Sequence, residues 1–281
     1  MATAAATTTT THGGRRAKGI DLGPLATLAR RRFQLTTRTP RELLVPLLTP
    51  ILFALVIAPA LKAALHTSSA YESFVAIGTI GLLIPLNTMF AGLSVIVDRD
   101  SGAQRELLAA PVARGLLVLG NLAVALAVTA IQLVALIAVA IARGIHFGAS
   151  ATGVGWFVAT SILFTVGMYG AAEALASRVP KQEEYVARVP VIAIVPWFLA
   201  GSLFPISALP GFLTWFARFL PLTHGLALMR YGLLGDATGL HHIWGMSNTT
   251  AMAALSLVVV AVFAAALIAL SIRVFTRSAL Q

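Results

Sequence analysis

At 281 residues, 58% apolar and 11% charged, with a mean hydropathy of +0.88, the chain is too apolar for a soluble globule, where about 45–50% and about 25% are usual; it reads as a polytopic membrane protein. The absence of cysteine excludes disulfide frameworks, thiolate metal sites and cysteine nucleophiles. The formal charge of +10 does not point to nucleic acid, because most of the excess flanks apolar stretches, where it sets membrane topology.

Residues 1–19 are rich in Thr and Ala, with a few basic residues and no apolar signal-peptide core. They are expected to form a disordered cytoplasmic tail ahead of a membrane domain over 20–281. In 22–34, Leu22, Leu25, Leu28, Ala29 and Phe33 recur near helical spacing beside Arg30, Arg31 and Arg32. That pattern predicts an interfacial helix in the headgroup plane. Ordinary positive charge flanking a span accounts for the same residues, and the two explanations are compatible.

A hydrocarbon core about 30 Å thick takes roughly 20 apolar residues per helix. Six stretches approach that length: 43–64, 74–97, 116–142, 154–177, 190–204 and 249–272. With the N-terminus inside, every basic residue except Lys62, Arg143, Arg218 and Arg230 falls on an inner segment. The positive-inside bias therefore places both termini in the cytoplasm.

Between the second and third stretches lies a dense polar island, Val97-Asp98-Arg99-Asp100-Ser101-Gly102-Ala103-Gln104-Arg105-Glu106-Leu107-Leu108, closed by Pro111 and Arg114. Ser101 followed by Gln104 resembles a capping box, and Pro111 stops a helix begun there after about two and a half turns. Arg105 and Glu106 then sit on a short cytoplasmic helix whose Leu107 and Leu108 face the membrane or a partner's groove. A solvated loop joining two spans fits the composition equally well.

Polar residues inside the apolar stretches are few. Asn87, beside Pro85, and Gln132 lie near the centres of the second and third stretches; buried amides more often bond between helices than bind substrates. The spacing Gly167-x-x-Gly170 predicts close helix packing. Glu173 is the one carboxylate within an apparent span, and lies about 7.5 Å from Arg178 by helical rise. Either it snorkels towards the cytoplasmic face, or it lines a pathway or receives the polar helix. Ser94, in Gly92-Leu93-Ser94, has no base on its side of the membrane, which argues against an intramembrane hydrolase.

The fifth stretch, 190–204, is short for a bilayer. The following segment, 205–240, is apolar but broken by Pro210, Gly211, Pro221, His224 and Arg230, so it supplies no seventh span. Two short helices, near 211–220 and 222–234, are expected to dip into the outer leaflet, where irregular backbone needs protein or water around it. The alternative is an amphipathic loop resting on the outer surface. His241-His242, two adjacent imidazoles with no carboxylate partner, read as an external loop, with no metal site.

Three stretches carry a family resemblance. From Val97 to Asn121 the order acid-Arg-acid-Ser-Gly, Arg-Glu-Leu-Leu, Ala-Pro-Val-Ala-Arg and a Leu-rich run ending Leu119-Gly120-Asn121 resembles the coupling-helix segment of type-2 ATP-binding-cassette (ABC-2) permeases. The run from Phe198 to Leu213, followed by Ala217-Arg218-Phe219-Leu220-Pro221-Leu222-Thr223-His224, is similar to the same family. So is Arg31-Arg32-Phe33 through Arg38-Thr39-Pro40 to Leu47-Leu48-Thr49-Pro50. By pattern the chain looks most like the permeases of daunorubicin-type drug exporters. It departs from them at His224, where an aromatic residue is common, and at Thr39, where Asp or Asn often precedes the proline.

The resemblance implies an all-α integral membrane fold of six transmembrane helices, N-in and C-in, with an interfacial helix, a cytoplasmic coupling helix and an external re-entrant helical hairpin. It implies that Asp98, Arg99, Asp100, Gly102, Arg105 and Glu106 couple to a groove on a separate ATPase subunit. Two permease subunits would work with two ATPase subunits, in a bacterial plasma membrane. The hairpin with Pro205, Pro210, Gly211, Pro221 and His224 would lid the outer end of the pathway. No Gly-x-x-x-x-Gly-Lys-Ser/Thr occurs in the chain, so no phosphate cradle and no cofactor is expected on it. The cargo implied is a hydrophobic or amphipathic compound, drug, antibiotic or lipid-like, moved outward. A polysaccharide or lipid-linked glycan exporter is the alternative; an ion-driven secondary transporter fits less well, for want of intramembrane ionisable groups and repeated halves.

Overall fold

The computed structural model describes residues 23–38, 40–66, 69–109 and 113–278. The expected tail over 1–19, and the positions Leu22, Thr39 and Pro111, lie outside the described residues. Regular structure among the described residues is helical throughout. In chain order the helices are α1 (Gly23–Arg38), α2 (Pro40–Leu52), α3 (Ala58–Leu65), α4 (Ser69–Asp100), α5 (Ala103–Ala109), α6 (Arg114–Ala142) and α7 (Ala151–Ala176). They continue with α8 (Gln182–Leu199), α9 (Gly211–Ala217), α10 (Pro221–Leu234), α11 (Thr238–Trp244) and α12 (Thr249–Ser278). A π-helical turn, Phe53–Ile57, joins α2 to α3 without a break.

Five helical segments among the described residues are long and apolar enough to cross a bilayer: Leu47–Ala64, Ala70–Asp100, Arg114–Ala142, Ala151–Ala176 and Thr249–Arg277. They correspond to five of the six expected spans. The remaining one, 190–204, is where sequence and structure part. Helix α8 begins at Gln182 and stops at Leu199, so Pro190 and Pro196 sit inside the helix and do not mark its ends. Glu183 and Glu184 occupy its first turn, where carboxylates complement the positive end of the helix dipole. Gly201, at φ +80°, then ends the run in the left-handed region open to glycine.

Helix α4 is the centre of the bundle. Of its spanning window 78% is buried, against 11% for Leu47–Ala64 and 22% for Thr249–Arg277. A helix apolar on every face suits either a protein core or lipid, and α4 is surrounded by protein. α8 is bolted along α4 by two hydrogen bonds, Tyr185 Oη to the Met89 carbonyl and Trp197 Nε1 to the Gly78 carbonyl, both 2.6 Å. Phe53, in the π-helical turn, packs edge-on against Trp197 with ring centroids 5.0 Å apart.

α7 and α12 come into close contact at the expected glycine pair. A Cβ on Gly170 would lie 2.7 Å from the Ile268 nitrogen, and one on Gly167 2.8 Å from the Phe263 ring. Lipid tails give helices no hydrophobic reason to associate, so backbone contact through small residues carries the association. Gly170→Leu is therefore expected to lower the thermal unfolding midpoint in detergent, with an overpacking cost on the order of 1–3 kcal/mol. Gly155, on the same helix with nothing within 4 Å of an added Cβ, is the control: Gly155→Ala should leave the midpoint unchanged or raise it.

Candidate functional site: the polar elbow and the cluster beneath it

The polar island folds as an elbow between α4 and α6. Gly102 turns the chain at φ +80°, with its N–H donating to the Arg99 carbonyl at 3.1 Å. Ser101 Oγ donates back to the Asp98 carbonyl at 3.3 Å, a bond that closes α4 and is not the forward bond of the expected capping box. The Gly102 carbonyl accepts from Arg105 N at 3.0 Å and opens α5. Leu107 was expected to face the membrane or a partner. It packs inward with Leu28, Leu117 and Phe275, because α1 and α6 leave an apolar seam there; the Leu108 side chain lies outside the described residues.

The six polar positions of the elbow divide into two groups. Asp98 and Arg99 face the bundle. Arg99 Nη1 donates to the Ala176 carbonyl at 3.2 Å, and Nη2 to the carbonyls of Val179 at 3.0 Å and Pro180 at 2.9 Å. These include carbonyls at the C-terminal end of α7, where a helix lacks internal donors and a cation is favoured. Asp98 accepts from Arg32 Nη1 of α1 at 3.5 Å. Asp100, Arg105 and Glu106 are exposed, and Gly102 is half-buried. Arg114, just past the elbow, donates to the Thr276 carbonyl near the end of α12 at 3.1 Å.

Glu173 lies directly beneath this elbow. It is 1% exposed and lines a cavity of about 30 Å³ with Arg31, Asp98, Gln104, Leu107 and Asn121. The carboxyl does not snorkel to the protein surface, since α1 and α5 roof that end of α7. A second cavity of about 40 Å³, lined by Arg32, Asn87, Ser94, Asn121 and Tyr169 among others, continues the polar region inward. Asn121 borders both, and each has room for ordered water. Asn87 Nδ2 donates to Thr129 Oγ1 at 2.6 Å, an α4–α6 bond, and Gln132 is buried one turn further along α6. Sequence reading singled out Asn87, Gln132 and Glu173 but passed over Arg32, Asn121 and Tyr169. The last two were legible as lone polar residues in apolar runs; Arg32 was one of three adjacent arginines.

At the other end of α4 the two expected short helices are present as α9 and α10. Pro205, Pro210 and Gly211 are exposed, and Pro221 opens α10 at its first turn, where its missing N–H costs nothing. α9 turns Phe212 (73% exposed), Trp215 and Phe216 outward, and Phe219 just past its end is exposed as well, whereas α10 is buried along most of its length. His224 is buried between Arg218 and α12. Its Nε2 stands 2.9 Å from the Arg218 carbonyl, and its Nδ1 3.2 Å from Ser256 Oγ, which also accepts from Trp244 Nε1 at 2.8 Å. A carbonyl only accepts, so Nε2 carries the proton. The histidine thus ties the hairpin to α11 and α12.

A bundle of long apolar helices with a polar elbow, a buried polar cluster under it and a helical hairpin at the far end defines a multi-pass membrane protein. The ABC-2 type transporter family profile matches residues 24–234, from α1 to the end of α10, and the chain belongs to that family. It is 24% identical over 214 residues, 74% of this chain and 72% of the other, to "Putative transport permease ycf38" of Porphyra purpurea. The family makes the chain a membrane permease subunit of an ABC transporter and implies an ABC ATPase subunit as its partner.

Arg99 is the test of the elbow's anchoring. Replacing it by Gln removes a side chain that reaches three carbonyls, and should lower stability by about 1–3 kcal/mol, read as a reduced unfolding midpoint. Arg105→Gln, on the exposed face, should leave the midpoint unchanged.

Proposed function

We propose that this permease subunit exports a hydrophobic or amphipathic compound, drug, antibiotic or lipid-like, from the cytoplasm across a bacterial plasma membrane, with both termini inside and α5 as the coupling helix. The observation that carries the proposal is the division of the elbow. Asp100, Arg105 and Glu106 offer a solvated, charged face to an ATPase groove, while Asp98 and Arg99 fasten the same segment to α1 and to the end of α7. Movement of the ATPase against α5 then reaches two other helices through charge-assisted hydrogen bonds, which hold direction better than apolar contact does.

A lipophilic cargo is favoured by a cavity of about 220 Å³ among α4, α7, α8, α10 and α12, with Pro85, Phe164, Met168, Pro196, Leu222 and Phe263 in its wall. A glycan would need donors and acceptors there, and that wall offers almost none. Helix Leu47–Ala64 is only 11% buried and leaves Leu48, Leu52 and Val56 exposed, a face that lipid or a second permease subunit would cover. The aromatic side chains of α9 suit the outer membrane interface, where amphipathic rings collect.

Because the chain has no native cysteine, Arg105→Cys gives a clean crosslinking probe. It should crosslink to the ATPase subunit in the working complex; labelling from the cell exterior would reverse the orientation. Glu106→Ala or Gly102→Val should leave ATP hydrolysis measurable while transport in proteoliposomes falls about tenfold or more, and an unchanged ratio of hydrolysis to transport would take α5 out of the coupling role. Glu173→Gln is expected to reduce export with little loss of expression; unaltered export would leave Glu173 a packing residue.

A further inference from the structure

Arg230, on α10, is unlike the basic residues of the elbow. It is 5% exposed. Its Nη2 donates to the carbonyls of Ser202 at 3.1 Å and Phe74 at 3.3 Å, and its guanidinium carbon stands 3.4 Å over the Phe74 ring. A guanidinium carries five donors, more than two carbonyls can satisfy, and Nε is buried without an acceptor. Thr223, two turns earlier on α10, is 3% exposed, and its hydroxyl also has no partner. Buried polar groups are normally paired, so two such groups on one helix bordering one cavity call for an explanation.

That cavity has a volume of about 140 Å³, and Asp236, Thr238 and His242 also line it. Asp236 Oδ1 accepts from Thr238 N at 2.9 Å, which orients the carboxylate at the start of α11. Arg230 and Asp236 face the same space, yet they make no ion pair within 4.0 Å. A buried cation and a fixed carboxylate separated by a cavity are complementary to a ligand that carries both charges the other way round.

We propose that this cavity binds a small zwitterionic group, its oxyanion on Arg230 and Thr223 and its primary ammonium at Asp236, as in a phosphoethanolamine head group. The rim supports a lipid as the source. Pro205 and Ile206 border the cavity, and the turn that begins at Ile206 packs against α9, whose Phe212, Trp215 and Phe216 are exposed. The volume is below the about 300–1,000 Å³ of pockets that enclose a whole drug-sized molecule, and leaves acyl chains outside in the bilayer. Neither the cargo nor the direction of transport enters the proposal.

Binding to the purified full-length chain in detergent, measured with short-chain phosphatidylethanolamine, short-chain phosphatidylglycerol and soluble phosphoethanolamine, tests it. Phosphatidylethanolamine should bind about tenfold more tightly than phosphatidylglycerol, the difference of one charge-assisted contact. Asp236→Asn keeps an acceptor for Thr238 N but loses the charge, and should bring the two lipids to equal affinity. Thr223→Val should weaken both lipids together, and serves if Asp236→Asn does not fold. Competition by soluble phosphoethanolamine at the lipid's own concentration would assign the site to a free zwitterion, and its failure to compete would assign it to the lipid; either keeps the chemistry. Equal binding of the two lipids to the unmodified chain, with no change in Asp236→Asn, would overturn the proposal and leave Arg230 a clamp on two carbonyls.

Discussion

Lipid offers no hydrogen bonds, so every polar group that enters the hydrocarbon region must find its partner within the protein. The arrangement around α4 follows from that constraint. Its backbone is satisfied by being helical over Ser69–Asp100, and its side chains are satisfied by burial on all sides. The donors that reach it from α8, Tyr185 and Trp197, are side chains whose apolar bodies fill space while their single polar atoms meet a carbonyl. Apart from the Asn87–Thr129 bond near its middle, the charged groups that meet α4 are gathered towards its two ends.

At one end the elbow combines exposure with attachment. A loop with all its charges in water would be held to nothing, and a segment with all its charges buried would leave no charged surface. Arg99 resolves this by spending its guanidinium on the end of α7, and Asp98 by pairing with Arg32, while their neighbours stay solvated. The cluster of Glu173, Tyr169 and Asn121 lies immediately below. A carboxyl with so little exposure would be sensitive to any displacement of α1 or α5, since its solvation would change with them.

At the other end the hairpin has two unlike halves. α9 is short and shows its aromatic rings outward; α10 is enclosed and carries His224 and Arg230. His224 stands where an aromatic residue is common in the family it resembles, and it does what a ring of that size would do against Trp244, with ring centroids 5.5 Å apart. It adds two hydrogen bonds that a hydrocarbon ring lacks. Arg230, one of the four basic residues on the side away from the positive-inside charge, is not a flanking charge at all, because the fold takes it into the protein.

Composition and the lengths of apolar runs were enough to determine an all-helical membrane protein, five of its long helices, the polar interruption after α4 and the pair of short helices broken by Pro210 and Pro221. These follow from local chemistry: bilayer thickness sets span length, and glycine and proline set where helices turn. The extent of α8 was not legible, because the residues that hold Gln182–Val189 helical against α4 are distant in sequence. Nor was the division of the elbow into inward and outward charges, since Asp98 and Asp100 differ only in which way a helix end faces them. The placement of Glu173 under a roof, and of Arg230 and Asp236 across one cavity, were decided by tertiary structure alone, for burial and separation between charges depend on helices brought together from across the chain.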